Sequence, residues 1–414
     1  MLAIIEKSEL RGSVPAEPSK SMAHRLLIAA ALAGGMSRIV NVAGSEDVLA
    51  TADCLRALGA EPEFVRGGNG EADYCEVKGF DPSLSESAEL PCRESGSTLR
   101  FLMPVAALSG KKMRFSGSET LMTRPLTVYE DIFRKMGMSL ERGSGYIEIE
   151  GKLKPGEYEI DADISSQFVS GLLFALPLAD GDSTLILKGR VESRPYIDMT
   201  IEALDIFGVR IEKISEGVLH IPGGQTYGNC DVAVEGDWSN AAFFLAMGVD
   251  VRGLREDSLQ GDKVCRAHFE RLERGCAEID ISDCPDLGPV LMAHAAMHEG
   301  CMLTGTRRLS IKESDRGAAM KEELAKFGVD VRIHENSIEV GAVPHENGAY
   351  AAARLHAPTE TLCGHNDHRI VMALAILASR TGGRIEGAEA VRKSFPNFFE
   401  RFAEAGGICK IETD

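Results

Sequence analysis

Six times along this chain of 414 residues, a short polar or Gly/Ser start gives way to an apolar run, then to a turn residue, then to a strand-like segment. The runs are "SKSMAHRLLIAAALAGG" at 19, "SGSTLRFLMPVAALSG" at 95, "SSQFVSGLLFALPLADG" at 165, "DWSNAAFFLAMGV" at 237, "DLGPVLMAHAAMHEG" at 286 and "HNDHRIVMALAILASRTGG" at 365. A helix that is apolar all round belongs in an interior. Between these runs lie six amphipathic helices with apolar residues at three- and four-residue steps, most of them ending at glycine: "SEDVLATADCLRALG", "TRPLTVYEDIFRKMG", "SRPYIDMTIEALDIFG", "DKVCRAHFERLERG", "ESDRGAAMKEELAKFG" and "KSFPNFFERFAEAGG". Alternating segments such as "AEPEFVRGGNGEADYCEVKG" and "MSLERGSGYIEIEG" follow several of them and predict hairpins.

The pattern therefore predicts an α/β protein built from six repeats of the type βαβαββ. Successive starts are 76, 70, 72, 49 and 79 residues apart, and the fourth interval fits the repeat worst. Six units make two similar domains of three, each with three buried helices. The turn-rich "HIPGGQTYGNC" near residue 225 suggests a first domain over 13–228 and a second over 229–414; the strand "MLAIIEK" could pair with either and is grouped, as 1–12, with the second.

Helix N-termini expose unsatisfied amides and a partial positive charge, which suits phosphate and carboxylate. Here they are reinforced by cations. Lys20, Ser21 and Arg25 open the first buried helix, Gly96, Ser97 and Arg100 the second, Ser165, Ser166 and Gln167 the third, and His368 and Arg369 the sixth. Arg124, Ser193 with Arg194, Lys312 with Arg316, and Lys393 stand at starts of the second series. A single Ser or Asp in such a place is an ordinary N-cap, and a single Lys or Arg is ordinarily solvated. Their recurrence at equivalent points of repeating units points to one shared anion site.

Composition narrows the partners. With 44% hydrophobic and 26% charged residues the chain is globular in composition, and a net charge of −18 opposes nonspecific nucleic-acid binding. No apolar run approaches the roughly 20 residues of a membrane span. The stretch "MLAIIEKSELRG" reaches charge too soon for a signal core, so a cytoplasmic protein is expected. Ten scattered cysteines without a Cys-x-x-Cys pair fit reduced thiols. "HAAMH" sets His294 and His298 four apart, but no Glu follows the first His as a zinc-protease motif requires. "RGGNG" and "PGGQTYG" lack a phosphate-loop lysine and predict turns. Cys92 and Cys363 have no identified base, which speaks against nucleophilic roles.

Nine segments, "PSKSMAHR", "SGSTLR", "TRPL", "SSQFVSGLL", "SRPYIDMT", "EGDWSNAAFF", "IKESDRGAAMKEELAKFG", "NDHRIVMA" and "KSFPNFFE", together resemble, nearly end to end, the 5-enolpyruvylshikimate-3-phosphate synthase family of enolpyruvyl transferases. The resemblance implies an inside-out α/β barrel in each of two domains that close over shikimate 3-phosphate and phosphoenolpyruvate, with the active site in the cleft between them. It implies transfer of the enolpyruvyl group to the 5-hydroxyl with release of phosphate, and no metal or other cofactor. By the same resemblance Ser21, Arg25, Ser165, Ser166, Gln167, Ser193, Tyr196, Asp286 and Lys312 hold shikimate 3-phosphate. Lys20, Gly96, Arg124, Gln167, Arg316, Arg369 and Lys393 hold phosphoenolpyruvate. Lys20, Asp286, Glu313 and His368 handle protons. A monomer is expected, with no nucleic-acid or membrane partner.

The chain departs from many relatives at Glu94 and Arg308, where Asn is common, and at Phe101, where Pro is frequent. A transferase of the same fold acting on a UDP-sugar is the nearest rival, and the Ser-Ser-Gln, Ser-Arg-Pro-Tyr and Lys-Glu-Ser-Asp-Arg segments favour the shikimate branch. An inactive anion-binding scaffold would tolerate loss of Lys20, Asp286, Glu313 or Lys393, all of which are present.

Overall fold

A computed structural model describes residues 1–67, 73–161, 165–344, 350–352 and 355–413. The chain divides into a central unit, Pro18–Glu235, and a terminal unit, Met1–Glu17 with Gly236–Asp414. Each unit has its own apolar core. The six apolar runs are helices Lys20–Leu32, Gly96–Ala106, Ser166–Ala175, Trp238–Leu245, Gly288–Ala296 and His368–Thr381. Three belong to each core, and Ile370 through Ala378 have no exposed surface at all. The turn in "RGGNG" falls partly on residues 68–70, outside the described set.

The second and third repeats show the unit clearly. Ala88–Arg93 pairs in parallel with Met113–Gly117 across the helix Gly96–Ala106, and the hairpin Ser139–Gly143/Tyr146–Glu150 adds two antiparallel strands. Glu157–Asp161, Ser183–Lys188, Val218–Ile221 and Glu212–Ser215 repeat the order. The fourth repeat has no hairpin among the described residues: helix Cys265–Glu273 runs directly into Ala277–Asp280. That omission accounts for the 49-residue interval.

Two pairings join the first repeat to the fourth. Ser13–Pro15, which precedes the first buried helix, pairs with Asp250–Arg252, which follows the fourth. Asp231–Ala233, which precedes the fourth, pairs with Met36–Val40, which follows the first. The two repeats have exchanged strands, so each unit is completed by a strand from a distant part of the chain.

Close packing between buried helices depends on local chemistry. Pro104 in the helix Gly96–Ala106 has no N–H to give the carbonyl of Arg100, four residues back. The Tyr129 hydroxyl donates to that carbonyl instead, at 2.7 Å. The neighbouring helix meets this spot with Gly171, where an added Cβ would lie 2.3 Å from the Tyr129 hydroxyl and 2.4 Å from the Arg100 carbonyl. Gly171→Ala is therefore expected to destabilise the protein by about 1–3 kcal/mol through overpacking. A lowered urea midpoint checks this, and an unchanged midpoint would mean that the helices part freely.

Candidate active site

In the central unit the helix starts are tied together by their polar residues. Ser19, Ser95 and Ser165 are N-caps, accepting from the amides of Met22, Thr98 and Gln167. Lys20 Nζ donates to Asp47 Oδ2 at 2.8 Å, with both side chains only 12% exposed. His24 meets Thr51 at 2.6 Å, and Thr51 meets Thr98 at 2.7 Å, which joins the first helix to the second. Arg100 donates to Gln167 Oε1 at 2.6 Å while Gln167 Nε2 donates to Ser97 at 3.0 Å, which joins the second to the third.

Arg25 closes the arrangement. Its buried guanidinium donates to the Thr200 hydroxyl at 2.8 Å, the Tyr196 carbonyl at 2.9 Å and the Ser21 carbonyl at 2.6 Å. Burial pushes its pKa down to about 10, which still leaves it charged at neutral pH. Phe101 lies 5.1 Å beneath that guanidinium and packs on Phe174, so its aromatic ring has a structural use here. Gly96 is where the Arg124 guanidinium approaches the backbone: an added Cβ would stand 2.4 Å from Arg124 Nη1. Ser193, fully buried, has φ of 53° in the left-handed region and makes no capping bond to its helix. Strain of this kind costs roughly 1–3 kcal/mol and clusters at ligand sites.

The terminal unit holds a denser cluster around Arg316, which is 1% exposed. Its guanidinium donates to Glu313 at 2.6 Å, Asp286 at 2.8 Å and Asp367 at 2.9 Å. Asp286 also receives Lys312 at 3.0 Å and lies 3.4 Å from Arg369 Nη2. Burial alone would raise its carboxyl, but Arg369, Lys312 and Arg316 outweigh burial and hold it well below the usual carboxylate range. Burial lowers Lys312, with Arg316 and Arg308 adding repulsion that its pairing with Asp286 does not cancel. Arg308, buried at this spot, thus bears directly on a predicted site residue.

The sixth helix supplies the rest. Asp367 is its N-cap, accepting from the Arg369 amide at 2.9 Å as well as from Arg316. His365 and Asn366 just before it both have left-handed φ, at 48° and 50°, and the Asn366 carbonyl accepts from Lys393 at 2.6 Å. His365 faces Glu323 at 3.2 Å, away from this network. His368 is buried, with Nδ1 3.8 Å from Asp367.

The structure therefore gathers Lys312, Glu313, Arg316, Asp286, Arg369 and, through Asn366, Lys393 in the terminal unit. It gathers Lys20, Ser21, Arg25, Gly96, Arg124, Ser165, Ser166, Gln167, Ser193 and Tyr196 around the helix starts of the central unit. Sequence reasoning missed Asp47 and Asp262, and did not count the cap Asp367 among the site residues. Asp262 is buried, accepts from Ser239 and is pushed up to about 6 by burial and by Asp286. The available signal was position: Asp47 and Asp262 both stand at starts of second-series helices.

Comparison with known proteins gives a consistent picture. The family model for EPSP synthase (3-phosphoshikimate 1-carboxyvinyltransferase) matches residues 4–402. A 3-phosphoshikimate 1-carboxyvinyltransferase of Clostridium kluyveri is 40% identical over 97% of both chains, and one of Clostridium perfringens is 37% identical over 99% of both. In structure, EPSP synthase from Acinetobacter baumannii matches with a TM-score of 0.76 at 23% identity, covering 100% of this chain and 99% of the other. The enolpyruvyl transferase NikO from Streptomyces tendae matches with a TM-score of 0.72 at 16% identity over 99% of this chain and 98% of its own.

Proposed function

Because this chain belongs to the EPSP synthase family, we propose roles for its site residues in the reaction that it carries out. That reaction transfers the enolpyruvyl group of phosphoenolpyruvate to the 5-hydroxyl of shikimate 3-phosphate, releasing phosphate, in aromatic biosynthesis. Both substrates are multiply charged anions. Bringing them together requires convergent cations and amide dipoles. In the proposed assignment, Arg25, Ser21, Ser165, Ser166, Gln167, Ser193, Tyr196 and Lys312 hold the shikimate phosphate, hydroxyls and carboxylate. Arg124, Arg316, Arg369, Lys20, Gly96, Gln167 and Lys393 hold phosphoenolpyruvate, the arginines because their forks match two oxygens at once.

The single observation that carries this reading is the sharing of Asp286 by Lys312, Arg316 and Arg369. It places a carboxylate among three cations. Addition needs a proton taken from the attacking hydroxyl and one given to the methylene carbon; elimination returns the carbon proton as phosphate departs. We assign those transfers to Asp286, Glu313, Lys20 and His368, with Asp286 also touching the shikimate hydroxyl.

The test is phosphate release by the purified protein. Release is expected only when shikimate 3-phosphate and phosphoenolpyruvate are supplied together. Release with a UDP-sugar acceptor in place of shikimate 3-phosphate would overturn the substrate assignment.

A further inference from the structure

The histidine pair of "HAAMH" gains a third neighbour in the fold. Helix Cys265–Glu273 ends where helix Gly288–Ala296 ends, and the donor atoms of Glu273, His294 and His298 all lie within 4.8 Å of one another. His294 is 3% exposed, yet neither ring nitrogen makes a hydrogen bond of normal geometry. Its Nε2 points toward Glu273 Oε1, 3.8 Å away, and its ring lies 4.5 Å from that of His298. A buried imidazole with a poorly satisfied nitrogen is costly and calls for a partner.

We propose that Glu273, His294 and His298 bind one divalent transition-metal ion of the zinc, cobalt or nickel class. Two imidazoles and one carboxylate suit those ions rather than magnesium or calcium, which take oxygen donors. The i, i+4 spacing puts both rings on one side of the chain, and Glu273, 56% exposed, swings in from the neighbouring helix. A pocket of about 500 Å³ lined by these three residues, Met297 and Arg380 leaves room for water as a fourth ligand. The Ala246 backbone carbonyl lies beside the His294 ring as a weak acceptor, the kind of outer contact that orients metal-bound histidines. Arg380 opposes a cation here, and the Glu273 carboxylate answers it. The ion would pin the far end of the helix that directly follows the Asp286 turn, a structural role separate from the chemistry.

The experiment uses full-length protein stripped with a chelator, then titrated with Zn²⁺ alone by calorimetry and with Co²⁺ by visible absorption. One ion per chain is expected. Glu273→Gln and His298→Ala, both at positions with solvent exposure and so compatible with folding, are expected to weaken binding roughly tenfold or more. The cobalt spectrum is expected to lack thiolate charge transfer. No binding by the wild-type protein, wild-type affinity in both variants, or a thiolate band placing the ion on a cysteine would each overturn the proposal.

Discussion

Replacing Arg316 with methionine is expected to lower folding stability by about 3–5 kcal/mol, because it strands buried carboxylates that have lost their cation. Asp367 is fully buried and receives Arg316 Nε, while Asp286 and Glu313 receive the two terminal nitrogens. Methionine fills the volume but neutralises nothing. The effect should depend on pH in a set direction. Asp286 is depressed in the folded protein, so its stabilising contribution is present above the unfolded carboxylate value near 3.9 and is lost as pH falls below it. Urea denaturation of the wild type and variant should therefore differ most near neutrality and converge below about pH 4. Equal midpoints at pH 7 would show that the cluster is replaceable by apolar packing.

The second large effect concerns Lys20. Lys20→Met should reduce kcat for phosphate release by about 10²–10⁴, the usual contribution of a positioned proton-transfer group. A purely structural role would look different. Lys20 pairs with Asp47, so a lysine that merely tethers the helix start would be mimicked by Asp47→Asn. The expected result is that Asp47→Asn retains far more activity than Lys20→Met while both keep the wild-type circular dichroism. Equal losses in the two variants would remove Lys20 from the proton pathway.

The buried helices and their caps were legible because both are local: an apolar run needs only its own composition, and Ser19, Ser95, Ser165, Asp237 and Asp367 sit one residue before the helices they cap. The cations were legible for the same reason. Their partners were not. Lys20 finds Asp47 across 27 positions and Arg316 finds Asp367 across 51, distances over which periodicity carries no pairing information. The exchanged strands escaped likewise, since Ser13–Pro15 and Asp250–Arg252 are each too short to announce a partner. The short fourth interval was visible as an irregularity, and only the sheets explain it as a missing hairpin.

The left-handed turn of Ser193 left no mark because serine is not a residue that advertises such a backbone. Asp262 was hidden in an ordinary amphipathic start; what distinguishes it is enclosure beside Asp286, a property of the fold.

The shared carboxylate of Asp286 has one more consequence. Lys312, Arg316 and Arg369 already have counterions inside the protein, so an entering anion does not fall into a bare positive well but exchanges with resident carboxylates. Whatever draws Arg369 or Lys312 toward itself loosens their hold on Asp286, and the basicity of that carboxylate rises at that moment. On the proposed assignment of Asp286 as a proton-transfer group, the substrate thus arms the base that it needs.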